Sequence, residues 1–129
     1  MNGPPPSTRA FLSQLPSLPA DSKVRFLGCV TKYNVATGHL ILEHNYPRSR
    51  ADLQQQHTVS VDINALLETV TWEELRVGAW INVLGYVRRV QSLYVEAIMV
   101  FPAGAIALGE YERVLQDTQE VDRRVRRPE

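Results

Sequence analysis

Hydrophobic and polar residues alternate along five separate stretches of the chain, which is the pattern of strands with one buried face. The clearest stretch is HTVSVDI at 57–63, where the apolar residues fall on one face and the hydroxyl and carboxylate residues on the other. The remaining four predicted strands cover 23–33, 38–44, 79–89 and 93–101. Gly28 lies in the middle of the first strand, and such a glycine often marks a bulge or a sharp bend.

Two helices complete the predicted order of elements. One lies within 64–75, between the third and fourth strands, and the capping-box spacing of Thr71 and Glu74 predicts a short helix starting there. The other runs from about 105 to 126. This order predicts an all-β fold with helices, namely a five-stranded Greek-key OB-fold barrel with a short helix between strands 3 and 4 and a long C-terminal helix. Small six-stranded barrels and sandwiches are the alternatives.

The predicted organisation has three parts: a Pro-rich N-terminal extension at 1–22, the barrel at 23–104, and a C-terminal helix with a basic tail at 105–129. The extension holds five prolines, so we expect an extended lead-in rather than a helix. Its four apolar residues predict that part of it lies across the barrel, with a disordered tail as the alternative: Phe11, Leu12, Leu15 and Leu18. The polar stretch 45–56 is predicted to be a long, mobile loop between the second and third strands.

The C-terminal helix carries an apolar stripe with spacings of four and three residues, formed by Ala107, Tyr111, Val114, Thr118, Val121 and Val125 and widened by Leu108 and Leu115. The predicted opposite face is charged and includes Glu110, Glu112, Arg113, Asp117, Glu120 and Arg123. A helix of 20 residues spans about 30 Å, which is too long for one small barrel to cover. We therefore expect a partner protein to cover part of the stripe; a helix folded fully back onto its own barrel is the alternative.

Charge and cysteine content narrow the possible functions. Lys+Arg and Asp+Glu both number 14, so the chain lacks the basic excess of a free-standing DNA binder. Cys29 is the only cysteine, which excludes an internal disulfide and suits a reducing compartment. We expect neither a transmembrane helix nor a secretory signal.

An OB fold binds its ligand around its second and third strands and the loops that flank them, and single-strand binders combine cations with aromatic side chains. The candidate nucleic-acid-binding residues on that basis are Lys32, Tyr33, Tyr46, Arg48, Arg50, Arg88, Arg89 and Tyr94. The alternative is that they are solvated loop charges and tyrosines that cap the barrel.

Catalysis has little support in the sequence. The chain has no nucleophile-elbow pattern and no Gly-rich phosphate loop. His39, His44 and His57 lie on or beside the second and third predicted strands, but surface or strand-end histidines are a better interpretation than a metal site. We expect a binding module that is not an enzyme and needs no metal or cofactor.

Three blocks in order resemble the smallest subunit (Ten-one) of the CST telomere-capping complex in its fungal form: KVRFLGCV at 23–30, VGAWINVLGYV at 77–87 and VEAIMVFPAGAIALGEYERVL at 95–115. The resemblance covers nearly the whole chain. It implies a non-enzymatic OB protein that pairs with the middle CST subunit (Stn-one). It maps the partner-binding residues onto Ile106, Leu108, Tyr111, Val114, Leu115, Thr118 and Val121.

The same resemblance implies a place in the nucleus at telomeres, where the complex binds the single-stranded overhang for end protection and replication. Contact with the large CST subunit would be indirect or weaker. The alternative function is a stand-alone single-stranded nucleic-acid binder or a small subunit of the replication-protein-A kind. Charge separates the two hypotheses, because neutrality and only two lysines disfavour a stand-alone binder.

Overall fold

The computed structural model describes residues 6–47, 57–104 and 107–126. These residues contain six strands: β1 (Thr8–Arg9), β2 (Lys23–Asn34), β3 (His39–Glu43), β4 (Thr58–Asp62), β5 (Trp80–Arg89) and β6 (Leu93–Pro102). The same residues form two 3₁₀ segments and two α-helices, at Leu12–Ser17, Asn64–Leu66, α1 (Trp72–Leu75) and α2 (Leu108–Arg126). The five long strands agree with the five predicted from alternation to within one residue at each end.

Strands β2 to β6 close into a barrel in the order β2-β3-β4-β6-β5, and β5 pairs back with β2. All pairs in the ring are antiparallel except β4 with β6, which run parallel. The short β1 adds to β2 in parallel, outside the closed ring. This is the predicted five-stranded Greek-key OB-fold barrel, so the fold class is confirmed.

Strand β2 serves both sides of the barrel. Its first seven residues pair with β5, and the stretch from Cys29 to Asn34 pairs with β3. The bulge in this strand is at Thr31, where the register with β3 shifts, and not at Gly28. Gly28 has a different role: a Cβ there would lie 2.9 Å from the Cβ of Leu42, so only glycine lets β3 approach this closely.

The barrel interior is filled by the alternate residues that the pattern predicts. Val59 and Val61 of β4, for example, point inward and are at most 5% exposed, while their neighbours are partly exposed. The interior cluster also includes Val24, Phe26, Val30, Leu40, Leu42, Ile63, Ile81, Val83, Val87, Val95 and Ala97. The hydrophobic effect on these side chains holds the two sides of the barrel together.

The N-terminal extension packs against the barrel but is not extended throughout. The prediction that it contains no helix was wrong at Leu12–Ser17, which forms a 3₁₀ helix. Leu12 and Leu15 are fully buried in the interior cluster, and that burial favours the tight turns. Pro16 fits near the end of so short a helix, since few backbone donors are needed there. The expectation that the apolar residues lie across the barrel is confirmed.

The connection between β4 and β5 is less helical than expected. A 3₁₀ turn at Asn64–Leu66 and a single α-helical turn, α1, replace one helix across 64–75. The predicted start at Thr71 is correct, although its hydroxyl reaches the Glu74 carboxylate at 3.4 Å rather than a backbone N–H.

Helix α2 has 19 residues and ends near the predicted position. Most of the predicted mobile loop at 45–56 lies outside the described residues, and so do Arg48 and Arg50. No helix within the described part of the chain is long and apolar enough to cross a membrane.

Candidate partner-docking helix and nucleic-acid face

One side of α2 packs onto the outside of the barrel. Leu115 is 0% exposed, and Tyr111 and Leu108 are half-buried one turn and two turns before it. Burial raises the pKa of the Tyr111 hydroxyl. Two guanidinium groups offset part of that rise: Arg9, which hydrogen-bonds the hydroxyl, and Arg25. The position of Tyr111 beside these arginines places α2 over the outer face of β1 and β2.

A row of polar contacts fixes the rotation of α2 about its axis. Three residues of α2, at spacings of four and three, make these contacts: Glu112, Gln116 and Gln119. Glu112 Oε2 bonds His44 Nε2 at 2.7 Å, and Gln116 Oε1 accepts from the Tyr46 hydroxyl at 2.7 Å. Gln119 Nε2 donates to Gln14 Oε1 at 2.8 Å. Glu112 lies on the side of α2 opposite Val114, as predicted, but the sequence did not indicate that it would bond a barrel residue. It pairs with a histidine that is 2% exposed, and leaving such a buried polar group without a partner would be unfavourable.

The other apolar residues of α2 face solvent. Val114, Val121 and Val125 are 49%, 57% and 79% exposed. With Thr118 they form what we call the valine stripe, because spacings of four, three and four place all four residues on one side of the helix. The barrel therefore covers the side centred on Leu115 and leaves the valine stripe, about 100° away, without a partner in the described structure.

Strands β5 and β6 carry exposed apolar residues of their own. Arg25, next to Tyr111, pairs across β2–β5 with Leu84, and Leu84 pairs across β5–β6 with Met99. Met99 is 52% exposed, and Ile98, which follows the register shift in β6, is 41% exposed. Neighbouring strands lie about 4.8 Å apart, so Met99 is within about 10 Å of Arg25. Met99 and Ile98 form a second exposed apolar patch, on the β5–β6 side of Arg25.

The residues predicted to bind a partner therefore divide into two groups. Val114, Thr118 and Val121 are accessible, whereas Leu115 is a core residue of the contact between helix and barrel. Leu108 and Tyr111 belong with Leu115, because both are half-buried and lie within about 40° of it around the helix axis. Ile106 lies outside the described residues.

Two of the arginines predicted to contact nucleic acid already bind protein groups. Arg88 lies over the Tyr86 ring at 5.1 Å, donates to Glu96 at 3.0 Å and pairs with Asp21 at 2.5 Å. These carboxylates raise the pKa of the Arg88 guanidinium. Arg89 donates to the backbone oxygens of Pro16 and Leu18, at 2.6 and 2.7 Å. Both arginines hold the end of the N-terminal extension against the β5–β6 hairpin.

The tyrosines and the lysine on the predicted list have separate surroundings. The Tyr46 ring lies at a tilt against the Phe11 ring, with centroids 4.7 Å apart, and its hydroxyl donates to Gln116 of α2. Tyr33 packs against the interior cluster, while Lys32 is exposed beside it on β2. Tyr94 lies 6.1 Å from the His39 ring.

The outer face of β3 and β4, where OB folds hold their ligands, carries more negative than positive charge. Alternation places Glu43 and Asp62 on it, and Asp62 is near His39 at 3.9 Å. Lys32 of β2 lies next to this face, where it pairs with Ile41 of β3. Phosphate contacts need cations, so this face alone suits a nucleic-acid backbone poorly.

Sequence reasoning missed the residues around which α2 is anchored. His44 contacts four aromatic rings, those of Phe11, Tyr46, Trp80 and Tyr111, at centroid distances of 5.5 to 6.3 Å. The sequence predicted it as the last residue of the second strand, but it did not predict its burial. The available signal was the spacing of Glu112, Gln116 and Gln119, which matches that of the apolar stripe. Among the described residues, no three His, Cys, Asp or Glu side chains come together as metal ligands.

Comparison with known proteins decides the family. The family described as "Ten1: Telomere capping, CST complex subunit" matches residues 1–116, which is most of the chain. The chain belongs to the Ten1 family. The resemblance found in the three sequence blocks is thereby confirmed. No curated protein matches the chain by sequence.

Solved structures support the Ten1 fold. The chain is similar to one in the S. pombe Stn1–Ten1 complex, with a TM-score of 0.72, 24% identity, and coverage of 92% of this chain and 96% of that one. For S. pombe telomere capping protein Ten1 the TM-score is 0.70 and the identity is 23%, with coverage of 89% of this chain and 99% of that one. Yeast RPA bound to single-stranded DNA shares the fold at a TM-score of 0.62 and 10% identity, with coverage of 91% and 98%.

Proposed function

We propose that this Ten1-family chain is the small OB-fold subunit of a CST complex at chromosome ends in the nucleus. In this proposal it pairs with a Stn1-type subunit through the valine stripe and the apolar patch on β5–β6. Its role is binding rather than catalysis, and any contact with the large CST subunit is indirect. Family membership supports the assembly, as does the S. pombe relative, whose structure is of a Stn1–Ten1 complex.

The single observation that carries the pairing is the exposure of the valine stripe. Helix α2 spans about 28 Å, and three valines along it are about half or more exposed although the opposite side is anchored. Thr118 fits a dry interface as well, because its hydroxyl already donates to the Val114 carbonyl at 2.9 Å. Covering this surface with an apolar partner would remove it from water, which is the main favourable contribution to association.

We further propose that the chain contributes to single-stranded DNA binding only within the complex. The formal net charge is zero, the outer face of β3 and β4 carries carboxylates, and Arg88 and Arg89 are held by protein groups. Lys32, Tyr33 and Tyr94 are the described candidates whose side chains make no ion pair or protein hydrogen bond in this part of the structure. A continuous cationic path would need residues from the partner.

The experiment is capture of the full chain by a Stn1-type subunit of the same organism, with matched substitutions. Val125→Glu places a charge on the valine stripe, and Val90→Glu places the same charge in the turn between β5 and β6. Both valines are 79% exposed, so neither change should unfold the free chain. Desolvating an unpaired carboxylate is unfavourable, so we expect Val125→Glu to weaken capture at least tenfold, or about 1.4 kcal/mol, and Val90→Glu to leave it unchanged.

Equal capture of both variants would contradict the pairing through the valine stripe. Adding Val121→Glu to Val125→Glu makes that result decisive, since both positions lie on the same side of α2. Tight binding of an oligonucleotide by the isolated chain at physiological salt would instead support the stand-alone function. Truncation of α2 is a poorer test, because it would also remove Leu115 and expose the barrel surface beneath it.

A further inference from the structure

A groove of about 510 Å³ opens where the first turns of α2 cross the end of β3. Glu112 lines it from the helix, about 160° around the helix axis from Val114, so the groove is on the flank away from the valine stripe. From the barrel it is lined by side chains that include Cys29, Glu43, His44 and Trp80. Nothing in the pairing proposed above uses this groove.

The groove presents hydrogen-bond acceptors and no cation among the residues that the structure describes. Glu43 accepts one hydrogen bond, from Asn45 Nδ2 at 2.5 Å, and Glu112 bonds His44 at 2.7 Å. Each carboxylate can accept further bonds, since an ionised carboxylate has about four lone-pair sites. The Cys29 thiol, which also lines the groove, has a raised pKa. Burial is the larger cause and the negative charge of Glu43 is the second, so the Glu43 charge is felt inside the groove.

His44 adds a third acceptor without a partner. Its side chain is 2% exposed, and Nδ1 has no hydrogen-bond partner in the described structure. When Nε2 carries the proton and donates it to Glu112, Nδ1 is left with a bare lone pair. A buried acceptor in this state is unfavourable until a donor reaches it. A ligand that satisfies these acceptors would carry N–H donors, and the two carboxylates favour one with a positive charge.

Trp80 adds an aromatic surface to these acceptors. Its ring meets His44 edge to face, with centroids 5.5 Å apart, and it remains partly exposed in the groove. A guanidinium group has five N–H donors in a plane and stacks on indole rings, whereas an ammonium group offers only a point charge. We propose that the groove binds an arginine side chain carried by a segment of a partner protein, independently of the protein that covers the valine stripe.

The test is a titration of the ¹⁵N-labelled full chain with N-acetyl-arginine methylamide, followed by NMR. The readouts are the Trp80 indole N–H, assigned by Trp72→Phe, and the backbone amides of Cys29 and Glu43. We expect saturable shifts with the arginine probe. We expect at least tenfold weaker binding of the citrulline counterpart, which has nearly the same shape but no charge.

Variants identify the groups responsible. Glu43→Gln combined with Glu112→Gln should weaken arginine binding at least tenfold, and the glutamine at 112 still offers an oxygen to His44. Glu120→Gln is the matched control, since it removes the same charge from an exposed part of α2 and should change nothing. If the double variant fails to fold, Glu43→Gln alone retains the test, because Glu43 is not part of the His44 pair.

Several results would overturn the proposal. One is binding of the citrulline probe or of a lysine probe as tight as that of the arginine probe. Others are unchanged arginine binding by the Glu43→Gln and Glu112→Gln variants, or NMR shifts that map to Asp62 on the outer face of β4. Displacement of the arginine probe by oligo-dT would assign the groove to nucleic acid instead. A change in the Trp80 signal on Arg48→Gln or Arg50→Gln, without any probe, would make this chain's own loop the occupant.

Discussion

Replacing Leu115 with alanine should detach helix α2 from the barrel. Leu115 is 0% exposed but is not part of the interior cluster, so its contacts are with the outside of the barrel. Leu27 points outward, by alternation with Phe26, and is nevertheless only 1% exposed. An element on the outside must cover it, and α2 is the element there, because Tyr111 lies beside Arg25. Leu115 belongs to a second, smaller apolar contact beneath the helix, where it lines a cavity together with Ala10 and Leu18 of the N-terminal extension.

The magnitude follows from the completeness of that burial. A fully buried leucine replaced by alanine typically lowers the free energy of unfolding by roughly 2–5 kcal/mol, from lost transfer energy and from the cavity left behind. With a urea slope of about 2 kcal/mol/M, the unfolding midpoint should fall by about 1–2.5 M. Val121→Ala removes a side chain that is 57% exposed and should change the free energy of unfolding by less than about 0.5 kcal/mol.

Urea denaturation and amide hydrogen exchange together check this prediction. If α2 can undock while the barrel stays folded, part of the loss will be seen only as faster exchange of α2 amides. An unchanged midpoint together with unchanged exchange in α2 would refute the reasoning. It would mean that α2 does not rest on the barrel through Leu115 in solution.

Three further predictions concern single sites. Gly85→Ala should destabilise the chain by about 1–3 kcal/mol, because the added Cβ would lie 2.4 Å from the Glu96 backbone oxygen. Gly109→Ala has open space around the added Cβ and should raise stability by up to about 1 kcal/mol. Thermal unfolding checks both. The raised pKa of Cys29 predicts slower alkylation at pH 8 than an unperturbed thiol, and removing the nearby charge by Glu43→Gln should speed the reaction; equal rates would contradict the position of that carboxylate. The raised pKa of Tyr111 predicts that stability falls above about pH 10, because the unfolded chain releases the proton first, and Tyr111→Phe should flatten that part of the pH profile.

Much of the fold could be predicted because each strand has a local sequence pattern. Alternation at period two depends on which face of a strand is buried, and it placed all five barrel strands to within one residue. The N-terminal 3₁₀ helix could not be predicted in the same way. Its turns are tight because Leu12 and Leu15 reach the barrel interior, and that interior is formed by residues distant in the chain.

The candidate site was predictable only in part. Spacings of four and three showed that α2 has an apolar stripe, but periodicity cannot say which residues of a wide stripe meet the barrel. The structure placed Leu115 inward and Val121 outward. Arg88 and Arg89 were candidates by residue type and position, and their pairing with the N-terminal extension depends on contacts between residues about 70 positions apart.

The sequence by itself determined the strands, the long helix, the neutral charge and the family resemblance, since each depends on residue order or on content. Only the tertiary structure decided that His44 and Glu112 meet, that one flank of α2 is anchored, and that two carboxylates line a groove at its start. The physical reason is that a local pattern specifies which face of an element avoids water. What covers that face is set by the packing of segments that the chain brings together from far apart.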